Sequence, residues 1–309
     1  MPTAPLGPLA PSSAGGPWRP ARGDEADYAT GKLQRPPSYP RGEQDTRLAG
    51  EPKLPKSWHR RSIRVSGTAL SGFLAAGFLL ACGAQTAPTG PAAGEVAILF
   101  VGNSLTYTNG LPLMLEKLLD EHGSPTYVES VAFPNYGLPD HWSDGTALGR
   151  IASGGWDVVI LQQGPSATEG RPYLLDFSES FAERIRATGG RPALYMVWPA
   201  SSRSFDFDGV SDSYETAAEL VDGLLFPAGE AWRAAWRADP ELALYGADGF
   251  HPSVLGTYLA AVVMYQQLSG NDPRDLPATI PGTSGVVDSA TMDILHQAAV
   301  EANAEYARP

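Results

Sequence analysis

Apolar residues run unbroken through Val96-Ala97-Ile98-Leu99-Phe100-Val101, the pattern of a strand buried on both faces. Gly102-Asn103-Ser104 breaks the run, and Leu111, Leu115, Leu118 and Leu119 then recur at helical spacing. Further strands are predicted at 126–132 (TYVESVA), 157–162 (DVVILQ) and 193–198 (ALYMVW), with a shorter one at 223–226 (GLLF). Helical patterns lie between them at 173–187 and 211–220. Residues 253–268 read as a well-buried helix and 288–306 as a terminal amphipathic one. Short apolar strands alternating with helices imply a parallel sheet covered on both faces. The expected fold is therefore α/β, a three-layer α/β/α domain over 95–309 without internal repeats.

The chain ahead of this domain has a different character. Residues 1–60 hold 11 of the 28 prolines, mixed with Gly, Ser, Arg and Ala and without apolar periodicity. Such a stretch buries too little surface to offset its ordering entropy and is expected to be disordered. A basic group, His59-Arg60-Arg61 and Arg64, then precedes an uncharged run from Val65 to Ala81, so that 61–82 reads as a secretory signal ending in Leu79-Leu80-Ala81-Cys82. A membrane span would need about 20 apolar residues. Leu-Leu-Ala-Cys resembles the lipobox of bacterial lipoproteins, in which the thiol carries a diacylglyceryl group. That resemblance makes Cys82 the lipid attachment site and 83–94 a flexible stalk. It implies a domain exported and anchored to the bacterial cell envelope, since two acyl chains on one residue hold stably to a membrane. The alternative is a buried cysteine in a short transmembrane anchor. Signals of this kind begin near the first residue, so 1–60 is expected to precede the true start of translation.

Charge and residue usage narrow the chemistry. The formal net charge of −12 divides unevenly, with 11 Lys/Arg against 6 Asp/Glu in residues 1–66 and 11 against 28 in residues 67–309. So acidic a body, with Lys117 as its one lysine, has little to displace phosphate counterions, and no nucleic-acid partner is expected. A single cysteine excludes a disulfide scaffold and cysteine-rich zinc sites, and no two of the five histidines stand at i,i+4 as a helical zinc protease requires. Glycine-rich phosphate loops are absent from the sequence, as are Gly-x-Ser-x-Gly and Ser-x-x-Lys. These absences disfavour nucleotide enzymes, α/β-hydrolases and β-lactamase-type enzymes.

Ligands of open parallel sheets bind beyond the carboxyl ends of the strands. Ser104 stands there in Gly-Asn-Ser-Leu-Thr (102–106), with a helix start nearby to favour an oxyanion. A serine in that position serves equally well as a helix N-cap. Asp248-Gly249-Phe250-His251-Pro252 carries the second signal. Three-residue spacing before a tight turn can bring the carboxylate to the imidazole Nδ1, leaving Nε2 to take a proton from a serine hydroxyl. Asp beside His is commonly a surface pair, but the two motifs together point to nucleophilic catalysis.

GNSLT and DGFHP are similar to the first and last motifs of the GDSL-type SGNH hydrolases, serine esterases and acetylesterases built on a flavodoxin-like parallel sheet of about five strands. The resemblance covers roughly 95–270. It implies Ser104 as nucleophile and oxyanion donor through its own N–H, His251 as base and Asp248 as its partner. The family's second motif is a glycine after the second strand, which places Gly137 of Pro134-Asn135-Tyr136-Gly137-Leu138 among the oxyanion donors, with His141-Trp142 at the pocket rim. The third motif departs from the family's Gly-x-Asn-Asp. Here it is Leu161-Gln162-Gln163-Gly164-Pro165-Ser166, similar to the Gln-Gly-x-Ser of some carbohydrate acetylesterases. That makes Gln163 the expected third donor, with Gln162 the alternative. Neither metal nor organic cofactor is expected.

Trp198-Pro199 is expected at the mouth, where a flat ring could stack on a sugar. Trp232 and Trp236, four apart on one helical face, read as core. Asp206, Asp208, Asp212 and Glu215 lack calcium-loop spacing and read as solvated surface. The function expected is hydrolysis of short-acyl carboxylic esters, O-acetyl groups on a carbohydrate or envelope polymer included, through an acyl-enzyme. A catalytically silent carbohydrate-binding protein and a lipase or phospholipase are the alternatives.

Overall fold

The computed structural model describes residues 90–92, 94–283 and 287–307. The expected extension (1–60), signal (61–82) and most of the stalk (83–94) lie outside the described residues. So does Cys82.

Five parallel strands form one sheet: β1 (Val96–Gly102), β2 (Thr126–Ala132), β3 (Val158–Leu161), β4 (Arg191–Tyr195) and β5 (Leu224–Phe226), in the order β2-β1-β3-β4-β5. This is the flavodoxin-like order. Ile98 to Val101 pair with Val158 to Leu161 in the middle of the sheet, and all but Val158 (7% exposed) are completely buried, which is why these runs show no polar alternation. The helices are α1 (Ser104–Tyr107), α2 (Leu111–Glu121), α3 (Leu138–Asp144), α4 (Thr146–Ala152), α5 (Arg171–Ala187), α6 (Phe207–Leu220), α7 (Ala228–Ala238), α8 (Val254–Ser269) and α9 (Ser289–Tyr306). α2, α7, α8 and α9 pack on one another, and α3 to α6 make a second group, giving the expected three layers. α8 is buried on every side from Gly256 to Tyr265, so the helix is apolar all round rather than amphipathic.

The fourth strand ends earlier than its apolar run suggests. Met196, Val197 and Trp198 are fully buried, yet the ladder stops at Tyr195 because β5 is only three residues long. The chain leaves β1 for β2 on one side and returns past β1 to β3 on the other. That reversal opens a crevice at the carboxyl ends of β1 and β3, where Asn103-Ser104 and Gln162-Gln163 emerge.

Candidate active site

The turn after β1 is braced from three directions. Asn103 Oδ1 accepts the Leu105 N–H at 3.1 Å, so Asn103 is the N-cap of α1 and Ser104 its first helical residue, its hydroxyl not used in capping. From the end of β3, the buried Gln162 Oε1 accepts the Asn103 N–H at 2.9 Å and the Thr106 hydroxyl at 2.8 Å. Gly102 passes so close to this cluster that a Cβ there would sit 2.6 Å from Gln162 Oε1 and closer still to Thr106 Oγ1. From α3, His141 Nε2 donates to the Gly102 carbonyl at 2.7 Å, and the Phe133 N–H reaches the same oxygen at 3.2 Å. Burial pushes the His141 pKa down, which keeps the ring neutral.

The second motif comes from the loop between α7 and α8. Gly249 holds a φ of +68°, a left-handed turn that suits glycine and folds His251 back over Asp248. Asp248 Oδ1 accepts the N–H groups of Phe250 and His251 at 3.0 and 2.9 Å, and Oδ2 lies 2.5 Å from His251 Nδ1. The hydrogen bond from the imidazole, reinforced by these N–H groups, lowers the Asp248 pKa to about 2. His251 Nε2 lies 2.8 Å from Ser104 Oγ, across 147 positions of sequence. With Nδ1–H directed at the carboxylate, Nε2 accepts the serine proton.

The loop is anchored from below. Trp198 Nε1 donates to the Phe250 carbonyl at 3.0 Å, Ser201 N–H to the Gly249 carbonyl at 2.8 Å, and Tyr245 Oη to the Pro199 carbonyl at 2.6 Å. Asn109, just past α1, donates to the Pro252 carbonyl and to Thr257 Oγ1, both at 2.9 Å, and so ties the serine's segment to the histidine's.

The other sequence candidates are placed differently from expectation. The Gln163 amide is inside the loop rather than at the serine: Nε2 donates to Ser166 Oγ and the Gly170 carbonyl, both at 2.9 Å, and Oε1 accepts the Leu138 N–H at 3.1 Å. Gln162 is fully buried behind the Ser104 turn, its Nε2 donating to the Gln163 carbonyl. The Gly137 N–H donates to Asp140 Oδ2 at 2.8 Å, the N-terminal cap of α3. None of these three donors is free for an oxyanion in this arrangement, because each satisfies a local acceptor first. His141 lies in the interior and not at a rim, and Trp142 packs edge-on to Phe177 and Phe181. Trp198 is completely buried and stacked on Trp232, so its face is not offered to a ligand. Trp232 is core as expected and Trp236 packs partly buried against it. Asp206, Asp208 and Asp212 pair with Arg203, Arg233 and Arg171, and no His, Cys, Asp or Glu cluster suited to a metal occurs among the described residues.

Ser104 opens into a cavity of about 300 Å³ that Asn103, Tyr136, Gly137, Gly164 and Phe250 also line. Phe250 also lines a neighbouring groove of about 250 Å³ over Pro165 to Gly170 and Arg203. Tyr214 stands behind the β3 loop, and sequence reasoning gave it no role. Its hydroxyl donates to the Gln163 carbonyl at 2.7 Å. No local pattern could have shown this, since the contact spans 51 positions and Tyr214 reads as one more apolar position of α6.

Comparison with protein-family models gives no match, and neither does comparison with the curated proteins. Among solved structures, a DUF4886 family protein from Bacteroides uniformis ATCC 8492 is similar over 68% of this chain and 95% of its own, at a TM-score of 0.59 and 18% identity. The two share a fold. A candidate SGNH hydrolase from Slackia heliotrinireducens matches 56% of this chain and 99% of its own, with 28% identity and a TM-score of 0.49. A lipase/acylhydrolase from Enterococcus faecalis matches 57% and 96%, with 14% identity and a TM-score of 0.48.

Proposed function

We propose that this chain is a serine ester hydrolase of the SGNH type. The observation that carries the reading is His251, within hydrogen-bond distance of both Ser104 and Asp248. In the reaction Ser104 Oγ attacks an ester carbonyl while His251 takes its proton and returns it to the departing alcohol. Water, deprotonated by the same imidazole, then releases the acid from the acyl-enzyme. The Asp248 carboxylate, charged at every working pH, holds the imidazole tautomer and stabilises its protonated form. These steps use only protein groups and the hydrolytic water. A cavity of about 300 Å³ favours short acyl chains, and carbohydrate or cell-envelope O-acyl esters are the proposed substrates. Export and a lipid anchor at Cys82 are proposed on the sequence pattern of 61–82 alone.

Purified domain offered p-nitrophenyl acetate, butyrate and palmitate should turn over the acetate fastest. Ser104→Ala and His251→Ala should each lower kcat by about 10⁴–10⁶-fold. A Ser104→Ala enzyme keeping a tenth of the activity would remove the nucleophile assignment. For the anchor, Cys82→Ser should abolish incorporation of labelled fatty acid in a bacterial host and move the protein out of the membrane fraction. Labelling that survives the change refutes the attachment site.

A further inference from the structure

The tetrahedral intermediate of ester hydrolysis carries a negative oxygen, and two or three fixed donors stabilise it. Apart from the Ser104 N–H itself, the donors expected from the sequence are committed elsewhere: Gly137 N–H to Asp140, Gln163 Nε2 to Ser166 and Gly170, and Gln162 Nε2 to the Gln163 carbonyl. Two backbone N–H groups that line the same cavity, those of Ser104 and Gly164, have no hydrogen-bond acceptor among the described residues.

The direction of the Gly164 N–H follows from the peptide that carries it. Its carbonyl, that of Gln163, accepts from Tyr214 Oη at 2.7 Å and from Gln162 Nε2, both buried behind the loop. In a trans peptide the N–H points opposite to the C=O, so pinning the carbonyl into the interior turns the Gly164 N–H the other way, on the side of the cavity that Gly164 and Ser104 both line. The next peptide is held as well. Ser166 Oγ donates to the Gly164 carbonyl at 2.9 Å, and Pro165 restricts the backbone of the residue before it. Ser166 keeps a φ of +60° to do this, a left-handed conformation uncommon for serine. Tyr214 is a dependable anchor because burial holds its phenol protonated well above the usual range.

We infer that the Gly164 backbone N–H is an oxyanion donor that acts with the Ser104 N–H, and that Gln163 and Tyr214 serve as positioning residues for its peptide. The inference rests on the esterase reading above. It places the donor that accompanies the Ser104 N–H on the main chain rather than on a side chain.

The test uses an inhibitor adduct. Diethyl p-nitrophenyl phosphate should transfer its phosphoryl group to Ser104 Oγ, with p-nitrophenolate leaving and the serine proton passing to His251, so that a phosphoryl oxygen occupies the oxyanion position. Gln163-Gly164 is the one Gln-Gly pair in the sequence, so protein labelled with carbonyl-¹³C glutamine and ¹⁵N glycine shows that single amide in a carbonyl-edited spectrum. Its proton should move downfield when the adduct forms, and the side-chain amides of Gln163 and Asn103, read in a second, uniformly ¹⁵N-labelled sample, should not. Gly164→Pro, which deletes the N–H, should lower kcat for p-nitrophenyl acetate by about 10²–10³-fold with KM little changed. A Gly164 resonance that stays in place while Ser104 is phosphorylated overturns this inference alone, whether or not the proline variant folds. So does a shift at the Gln163 or Asn103 side chain in its stead. A protein that takes no phosphoryl group on Ser104 overturns the esterase reading and this inference together.

Discussion

At the scale of single residues, the division of labour between neighbours decides what each can do. Asn103 caps α1, which leaves the Ser104 hydroxyl to face His251 rather than its own helix. The serine motif alone left cap and nucleophile undecided, and the adjacent amide resolves it. Asp248 is solvent-exposed, yet three donors converge on its carboxylate and its pKa lies near 2. Asp248→Asn removes the charge that stabilises imidazolium while an amide can still satisfy the loop N–H groups. The loss in kcat should fall between tenfold and about 10⁴-fold, smaller than for Ser104→Ala, with KM nearly constant. Steady-state kinetics of the variant beside wild type checks this, and a variant at full activity would mean that Asp248 only shapes the loop.

At the scale of elements, the sequence was most legible where one face of the pattern meets one neighbour. β2 spans the residues predicted for it, 126–132, and α5, α6, α8 and α9 lie within a few residues of their periodic runs. α3 and α4 had no such signal, because each is seven residues long and bounded by glycines and prolines that read as loop. The residues of the proposed triad were legible because their chemistry is local: a serine after a strand, and a carboxylate three residues before an imidazole. The oxyanion side was not, since where the Gln163 amide points depends on Ser166, Gly170 and α3, and where its carbonyl points depends on Tyr214 of α6. Gly102 shows how tightly β1, α1 and β3 meet. In Gly102→Ala the new methyl would press on Thr106 Oγ1 and Gln162 Oε1, both fully buried and bonded to each other. Relief requires moving the Ser104 turn, so the variant should lose about 1–3 kcal/mol of stability and most of its esterase activity together. Urea unfolding and acetate hydrolysis of the same preparation would test this, and a stable, active alanine variant would show that the turn has slack.

At the scale of the whole molecule, two buried imidazoles link folding to acidity. His141 lies under the Ser104 turn, and His296 of α9 meets the Tyr258 hydroxyl of α8 at 2.7 Å. Desolvation lowers both pKa values, against weaker opposing pulls from Asp140 and Asp144 on one and Asp293 and Asp272 on the other. A histidine whose folded pKa is depressed binds its proton more readily in the unfolded chain, whose pKa is about 6.5. The stabilisation from keeping these rings neutral is therefore complete above that value and is lost as pH falls toward the folded pKa. Each ring can contribute a slope of up to about 1.4 kcal/mol per pH unit in that interval. Asp248 acts in a separate window, since its depressed pKa gives stability that persists down through pH 4 and disappears only toward pH 2. Unfolding free energies measured in urea from pH 8 to pH 5 should stay level above about 6.5 and then fall. His296→Gln, remote from Ser104, should flatten part of that fall while leaving the pH 8 rate of ester hydrolysis intact. A profile equally steep in the variant would show that α9 carries no part of the acid sensitivity.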